Sequence, residues 1–401
     1  MLSFRYALIA RLLCKILPID NKKWVFGADY GNMYREGSKY LLEYMLKNHP
    51  NFNCTFITKN NRVYQELKAK GIPCLMNDSF KAVYNIAKAG VVITTQWLTD
   101  IDYDYPRKGR HYFYLGHGQP LKIAYKALKN KTENPVEASK PKLKKKTLYS
   151  KIYDYTIGPL LNNRKTYTHI GFVSASSDFL KHYMQLDFGD DMDVRVLGMP
   201  RNDGLFDHER MKKERWIDGV EGKFVVTYMP THRLYGRGEI TPTPFIYKPE
   251  YQKWMRDNNV VLLMKQHPNM IPKLTKIPQT DVIRDITVDR LDPQVCIYHS
   301  DVLVTDFSSV WMDYLLLKRP IIFYIYDHFE SMDAGCHYDI REDPPGHFCY
   351  SEDDMFQLIK KIKENYDSMK PSERIVSKYQ KYQDGNACER YYKEICKEIN
   401  Y

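Results

Sequence analysis

His117 lies between two glycines, in the run Gly116-His117-Gly118-Gln119-Pro120 that follows the aromatic stretch Tyr112 to Leu115. Flanking glycines let backbone approach a ligand closely, and an imidazole with an ordinary pKa near 6.5 can take a proton from a hydroxyl at neutral pH. A second histidine, His267, follows Lys265 by two residues in Lys265-Gln266-His267-Pro268, so a cation and an imidazole leave one apolar run together. Arg201 and the sequence Pro230-Thr231-His232-Arg233 bring further cations to the ends of other such runs. Lysine neutralises phosphate as a point charge, and arginine does so with two parallel hydrogen bonds. In Thr305-Asp306-Phe307-Ser308-Ser309 the hydroxyls stand just before the apolar run Val310 to Leu317, which is halted by Lys318-Arg319-Pro320. The serines therefore sit at a helix start, where free N–H groups and the helix dipole favour an anion.

Each of these motifs alone has a plainer reading. A loop histidine is commonly satisfied by a carbonyl, and a serine before a helix is commonly its N-cap. No two histidines share the i, i+4 spacing of a helical zinc pair, so no metal ligand is assigned. The chain has no G-x-x-x-x-G-K-[ST] and no G-x-G-x-x-G after a strand, which argues against a P-loop nucleotidase and a simple dinucleotide dehydrogenase. What remains is group transfer from a phosphate-bearing donor.

Positioning such residues requires strands. Short β-branched and aromatic runs at Lys23 to Phe26, Cys54 to Thr58, Val91 to Thr95, Tyr112 to Leu115, Gly171 to Val173 and Val194 to Leu197 alternate with helix-like stretches in the first half. Phe224 to Tyr228, Val260 to Met264, Val302 to Val304 and Ile321 to Tyr324 do the same in the second. This is the α/β pattern. Five of the runs end in a polar motif, and open parallel sheets bind ligands beyond their carboxyl ends. One site built from two sheets facing across a cleft is therefore expected. A length of 401 residues suits two domains, and the charged stretch Asp203 to Gly222 marks the junction. The expected units are an amphipathic helix over 1–22, a first domain over 23–208 and a second over 209–401.

The net charge of +11 is concentrated. Between Lys122 and Lys151 ten lysines face two glutamates, and Met1 to Lys23 carries five cations against Asp20. The remainder is close to neutral. The segment 122–151 reads as a solvated loop or as a surface for lipid head groups or a phosphate-rich substrate. No finger, basic-zipper or RNP signature accompanies it, so no nucleic acid is expected. In the first seventeen residues Arg5, Arg11 and Lys15 fall on one face of a helix otherwise rich in leucine and isoleucine, ended by Pro18. That pattern fits an in-plane anchor on an anionic membrane and equally a helix packed on its own domain. Arg11 and Lys15 interrupt the apolar stretch that a secretory signal would need, and no stretch approaches the ~20 apolar residues of a membrane span. The eight cysteines show no C-x-x-C pair and read as reduced thiols.

In order, His117-Gly118-Gln119-Pro120-Leu121-Lys122, Gly198-Met199-Pro200-Arg201-Asn202-Asp203, Pro230-Thr231-His232-Arg233, His267-Pro268 and Thr305-Asp306-Phe307-Ser308-Ser309-Val310 resemble the motifs of the CDP-glycerol glycerophosphotransferases of teichoic acid synthesis. The resemblance covers about Leu17 to Tyr350. It implies a GT-B-like fold of two Rossmann-like domains, and transfer of glycerol phosphate, or ribitol phosphate, from a CDP-activated donor with release of CMP. The implied acceptor is a hydroxyl on an undecaprenyl-diphosphate-linked disaccharide or polymer, and the implied location is the cytoplasmic face of the bacterial membrane, held peripherally. By motif, His117 resembles the catalytic base, with His267 as its catalytic companion. Arg201, Thr231, His232, Arg233, Lys265, Thr305, Asp306, Ser308 and Ser309 are then the donor side, and Lys122 with Arg5, Arg11 and Lys15 the acceptor and membrane side. The chain is little more than a catalytic unit, as in members that add the first unit, so a primase is expected. No cofactor is required by the sequence, and Mg2+ assistance stays open. Gln119 stands where threonine is expected and His232 where tryptophan often stands, which leaves acceptor recognition to be determined. A GT-B glycosyltransferase using a nucleotide sugar is the alternative activity, and an inert protein binding anionic polymers through its lysines is the alternative class.

Overall fold

The computed structural model describes residues 4–96, 98–101, 109–123, 170–214, 216–231, 248–266, 279–287, 291–326 and 335–401. His232, Arg233, His267 and most of the lysine-rich segment lie outside these residues, as do the side chains of Arg5 and Arg11.

The first half builds a five-stranded sheet from β1 (Asp20–Phe26), β2 (Asn53–Thr58), β3 (Cys74–Met76), β4 (Ala89–Thr94) and β5 (His111–Tyr114), ordered β3-β2-β1-β4-β5. Every pairing is parallel, with Val25 opposite Val92 and Phe26 opposite Phe56. After a small parallel pair, β6 (Val173–Ala175) and β7 (Val194–Val196), the second half forms another all-parallel sheet. Its strands are β8 (Phe224–Tyr228), β9 (Val260–Met264), β10 (Ile283–Asp285), β11 (Val302–Thr305), β12 (Ile321–Tyr324) and β13 (His347–Cys349), ordered β10-β9-β8-β11-β12-β13. Strands covered on both faces can be apolar throughout, which is why Val260–Met264 is buried at every position. In both sheets the order reverses beside the first strand, between β1 and β4 and between β8 and β11. Crevices at such reversals hold ligands in doubly wound sheets.

Helices cover the faces. In the first half α1 (Phe4–Ile16), α2 (Glu36–Asn48), α3 (Asn61–Ala69) and α4 (Phe80–Lys88) do so, and α4 starts where the Ser79 hydroxyl accepts from Ala82 N–H. Helix α1 packs Ile9, Ala10, Leu13 and Cys14 toward Val83 and Ile86 of α4, so it is docked on its own domain. Its other face is open, with Leu12 58% and Ile16 64% exposed beside an exposed Lys15.

The last helix, Ala387–Glu398, lies within the range expected to form the second unit but packs in the first core. Its Cys388, Tyr391, Ile395 and Cys396 join Trp24, Phe26 and Phe52 there, so the boundary expectation is corrected for this segment by apolar burial. A further apolar cluster runs from Tyr114 and Leu121 to Phe307 and Trp311, which fixes the two sheets against one another.

Candidate active site

A cavity of about 620 Å3 opens where the two reversal points face each other, and His117 is on its wall. The chain leaves β5 through Gly116, whose φ of +68° is a conformation that favours glycine. This turn swings His117 into the cleft. Protein surrounds the imidazole on most sides while its cleft face stays open to solvent. The ring is hydrogen-bonded to the Thr95 backbone carbonyl at the end of β4, which leaves its other nitrogen for the cleft. Burial pulls the His117 pKa below its ordinary value; Glu36 and Asp29 pull it up, and Arg201 pulls it down. An imidazole kept neutral and oriented by a carbonyl is suited to accept a proton.

The carbonyl is itself held. The buried Asp100 carboxylate accepts from Thr95 N–H at 2.7 Å, Gln96 N–H at 2.8 Å and Tyr30 N–H at 2.7 Å. One acid thus ties the end of β4 to the turn after β1.

The facing wall comes from the second sheet. Thr231 donates to Asp306 Oδ1 from its N–H at 2.8 Å and its hydroxyl at 2.6 Å, and the Thr305 hydroxyl donates to the Met229 carbonyl at 2.7 Å. Thr305 and Asp306, expected among donor contacts, are fully buried and stitch the ends of β8 and β11 together. That is a correction: what they offer a donor is the shape of the turn. Lys265 is buried, lines the cavity, and has no carboxylate partner among the described residues. Ser308 and Ser309 also line it, and the Ser309 side chain makes no cap bond to the helix Val310–Tyr314 that it precedes. The expected helix start is therefore correct, with a 3-10 turn Leu315–Leu317 completing the run before Lys318.

The two walls meet at one point. A Cβ placed on Gly118 would collide with Ser309 Oγ, so glycine beside the histidine is what lets the donor-side serine come this close. Gln119 is buried and accepts from Ser176 N–H at 2.8 Å, tying the same loop to the end of β6. Lys122, exposed at the cavity rim, pairs in a short antiparallel bridge with Cys336.

Arg201 is on the cavity wall and is also tied to protein partners. Expected to meet a diphosphate, its buried guanidinium donates to Asp313 Oδ2 at 2.8 Å and to Glu36 Oε2 at 2.9 Å. The two carboxylates hold its pKa well above the usual range. Asn202 donates to Asp313 Oδ1 at 3.0 Å and accepts from Gln294 at 2.7 Å, and Asp203 accepts from the N–H groups of Ala387 and Cys388. The Arg201-Asn202-Asp203 triplet is a joint between α2, the second sheet's helices and the last helix. Sequence reasoning missed Glu36, Asp313, Asp100 and Tyr30. Only Asp313 leaves a signal, as a lone acid in the apolar run Val310 to Leu317. Among the described residues no group of three or more His, Cys, Asp or Glu could hold a metal ion.

Two parallel Rossmann-like sheets with a polar cleft between their reversal points define the GT-B class of fold. The chain belongs to the CDP-glycerol:poly(glycerophosphate) glycerophosphotransferase family, whose model matches residues 9–397. It is similar to a teichoic acid glycerol-phosphate transferase of Staphylococcus aureus, at 25% identity over 97% of this chain and 95% of that protein. A teichoic acid poly(ribitol-phosphate) polymerase of Bacillus spizizenii is 27% identical over 95% of this chain and 57% of its own length. The chain spans about half the length of the ribitol-phosphate polymerases it matches. Among solved structures, that of the wall teichoic acid polymerase TagF superposes with a TM-score of 0.72 at 19% identity, covering 99% of this chain and 93% of that one, and shows the same fold.

Proposed function

We propose that this chain transfers glycerol phosphate from CDP-glycerol to a hydroxyl of a membrane lipid-linked wall polymer precursor, as a primase adding the first unit. The observation that carries this reading is the meeting of an oriented, neutral His117 with the Lys265, Ser308 and Ser309 wall at the Gly118 to Ser309 contact.

His117 takes the proton of the acceptor hydroxyl, whose oxygen attacks the β-phosphorus of the donor. The bond from that phosphorus to the bridging oxygen breaks, and CMP leaves with the electron pair. Lys265 neutralises charge on the diphosphate, and the hydroxyls of Ser308 and Ser309 donate hydrogen bonds to its oxygens. His267, His232 and Arg233 lie outside the described residues, and by motif they join the donor side. Arg201 and Asp313 hold the two walls at a fixed distance. Lys122, at the cavity rim, is on the acceptor side, and α1 presents Leu12, Lys15 and Ile16 to an anionic membrane surface. Among the described residues no helix is long and apolar enough to cross a membrane.

Ribitol phosphate is the second reading, favoured because several matched relatives are ribitol-phosphate polymerases. The test is CMP release from CDP-glycerol and, in parallel, CDP-ribitol, each with a lipid-linked disaccharide acceptor and with and without EDTA. Acceptor-dependent CMP with one donor, and a product mass increased by one alditol phosphate, is the expected result. A mass gain lacking phosphorus from a nucleotide sugar would replace the reading by glycosyl transfer. Absence of CMP with both donors would overturn it.

A further inference from the structure

Among the described residues lining the cleft, one large aromatic side chain is exposed, and the transfer chemistry leaves it unused. Tyr30, in the 3-10 turn Asp29–Gly31 that follows β1, lines the cavity that holds His117 and is 49% exposed. Exposed tyrosines on a surface are common. This one is held in a conformation that its residue type disfavours.

Asp29 and Tyr30 have φ of 48° and 56°, in the left-handed region where a residue with a Cβ is strained. The turn is over-determined by its surroundings. Tyr30 N–H donates to Asp100 Oδ1, Asp29 N–H donates to the Thr95 hydroxyl at 3.2 Å, and Asp29 pairs with Arg35 at 3.0 Å. The Gly31 carbonyl accepts from Lys59 N–H at 2.7 Å and from the Thr58 hydroxyl at 2.9 Å. A Cβ on Gly31 would meet the Asp100 carbonyl oxygen at 2.7 Å. Asparagine or glycine would occupy position 30 with less strain, so the fold gains nothing from a tyrosine there. The Tyr30 hydroxyl has no hydrogen-bond partner among the described residues, and the ring has no aromatic partner among them.

We propose that Tyr30 is an acceptor-recognition residue whose ring face receives a pyranose ring of the disaccharide acceptor. A sugar ring has an apolar C–H face and a polar rim, which matches a tyrosine with an apolar face and a hydroxyl edge. The donor's cytosine is the competing occupant. It is disfavoured because Tyr30 stands on the first sheet's wall, which also carries the base, whereas Lys265, Ser308 and Ser309 stand on the second. Asp29, the neighbour of Tyr30, is near enough to raise the His117 pKa, so a sugar on the Tyr30 ring would bring its hydroxyls beside the base. This inference rests on the proposed transfer to a lipid-linked disaccharide and specifies how that acceptor is held.

The test uses the full chain and a soluble disaccharide acceptor carrying a short alkyl chain in place of the polyprenyl tail. Tyr30→Asn removes the ring and keeps a residue that tolerates the backbone, and Tyr30→Phe keeps the ring. Saturation-transfer NMR reports sugar binding without any turnover. Contact with the wild type and the Phe variant, its loss in the Asn variant, and a melting temperature equal to or above wild type in the Asn variant are expected. In the CMP assay the Asn variant should raise the acceptor KM about tenfold and leave the donor KM unchanged, the scale of losing one aromatic contact and its buried area. Equal saturation transfer to both variants, no transfer to the wild type, a rise confined to the donor KM, or a lowered melting temperature with uniform loss of rate would each overturn the proposal. If the wild type binds the sugar through Tyr30 but releases no CMP, the transfer reaction fails and the recognition site stands.

Discussion

His117 combines two features that a base needs and that pull against each other. Burial keeps the ring neutral, and the carbonyl of Thr95 fixes which nitrogen faces the cleft. Replacing His117 by alanine should lower kcat by about 10²–10⁴-fold with an unchanged melting temperature, because proton transfer is lost and no core contact is. A variant retaining near-normal turnover would remove His117 from the mechanism. Since burial sets the pKa below its ordinary value of 6.5, kcat/KM should fall only when the pH drops below that value. Glu36 opposes the downward shift, and it also pairs with Arg201, whose charge reinforces that shift. Glu36→Gln should therefore move the acid limb of the pH profile further down. A limb that stays in place or moves up would show that Glu36 does not act on this ring.

At the scale of elements, α1 packs on its own domain and keeps a second, partly apolar face open. Ala10 is fully buried against the first domain, while Leu12 and Ile16 project on the opposite face with Lys15. Removing the helix would strip packing as well as any anchor, so the informative change is Leu12→Ser with Ile16→Ser. Sedimentation with anionic vesicles should weaken while the melting temperature holds, and unchanged sedimentation would make α1 a purely structural cover. Strands with both faces covered were legible in the sequence because continuous apolar runs such as Val260–Met264 have no other reading. The strands β3, β10 and β13 were not: three residues carry no period, and the equally short β7 was legible only because the run Val194 to Leu197 leads into Gly198-Met199-Pro200-Arg201. The loops after β5, β8, β9 and β11 were legible as a site. The acids that position them were not, because Glu36 and Asp313 acquire their partners, and Asp100 its bond to Tyr30, only when distant segments fold together.

For the molecule as a whole, the joint between the halves is ionic as well as apolar. Arg201 spans Glu36 and Asp313, Lys39 pairs with Asp292 at 3.1 Å and Glu214 at 3.3 Å, and Tyr40 donates to Asp292 at 3.2 Å. These bonds join α2, beside the first sheet, to helices of the second, and they set the width of the cleft between His117 and Lys265. Arg201→Met keeps the volume and removes the charge, leaving two carboxylates facing one another out of water. Breaking a buried pair on one side costs about 3–5 kcal/mol, so the variant should melt well below wild type at pH 7.5. The unpaired carboxylates would then have folded-state pKa values above their unfolded ones, and protonation would relieve them as the pH falls. The gap in melting temperature should accordingly narrow at pH 5. Adding Asp313→Asn should recover part of the loss at pH 7.5, because one of the two opposed charges is gone. A gap independent of pH, with no recovery in the double variant, would mean that Arg201 holds the halves together by packing alone.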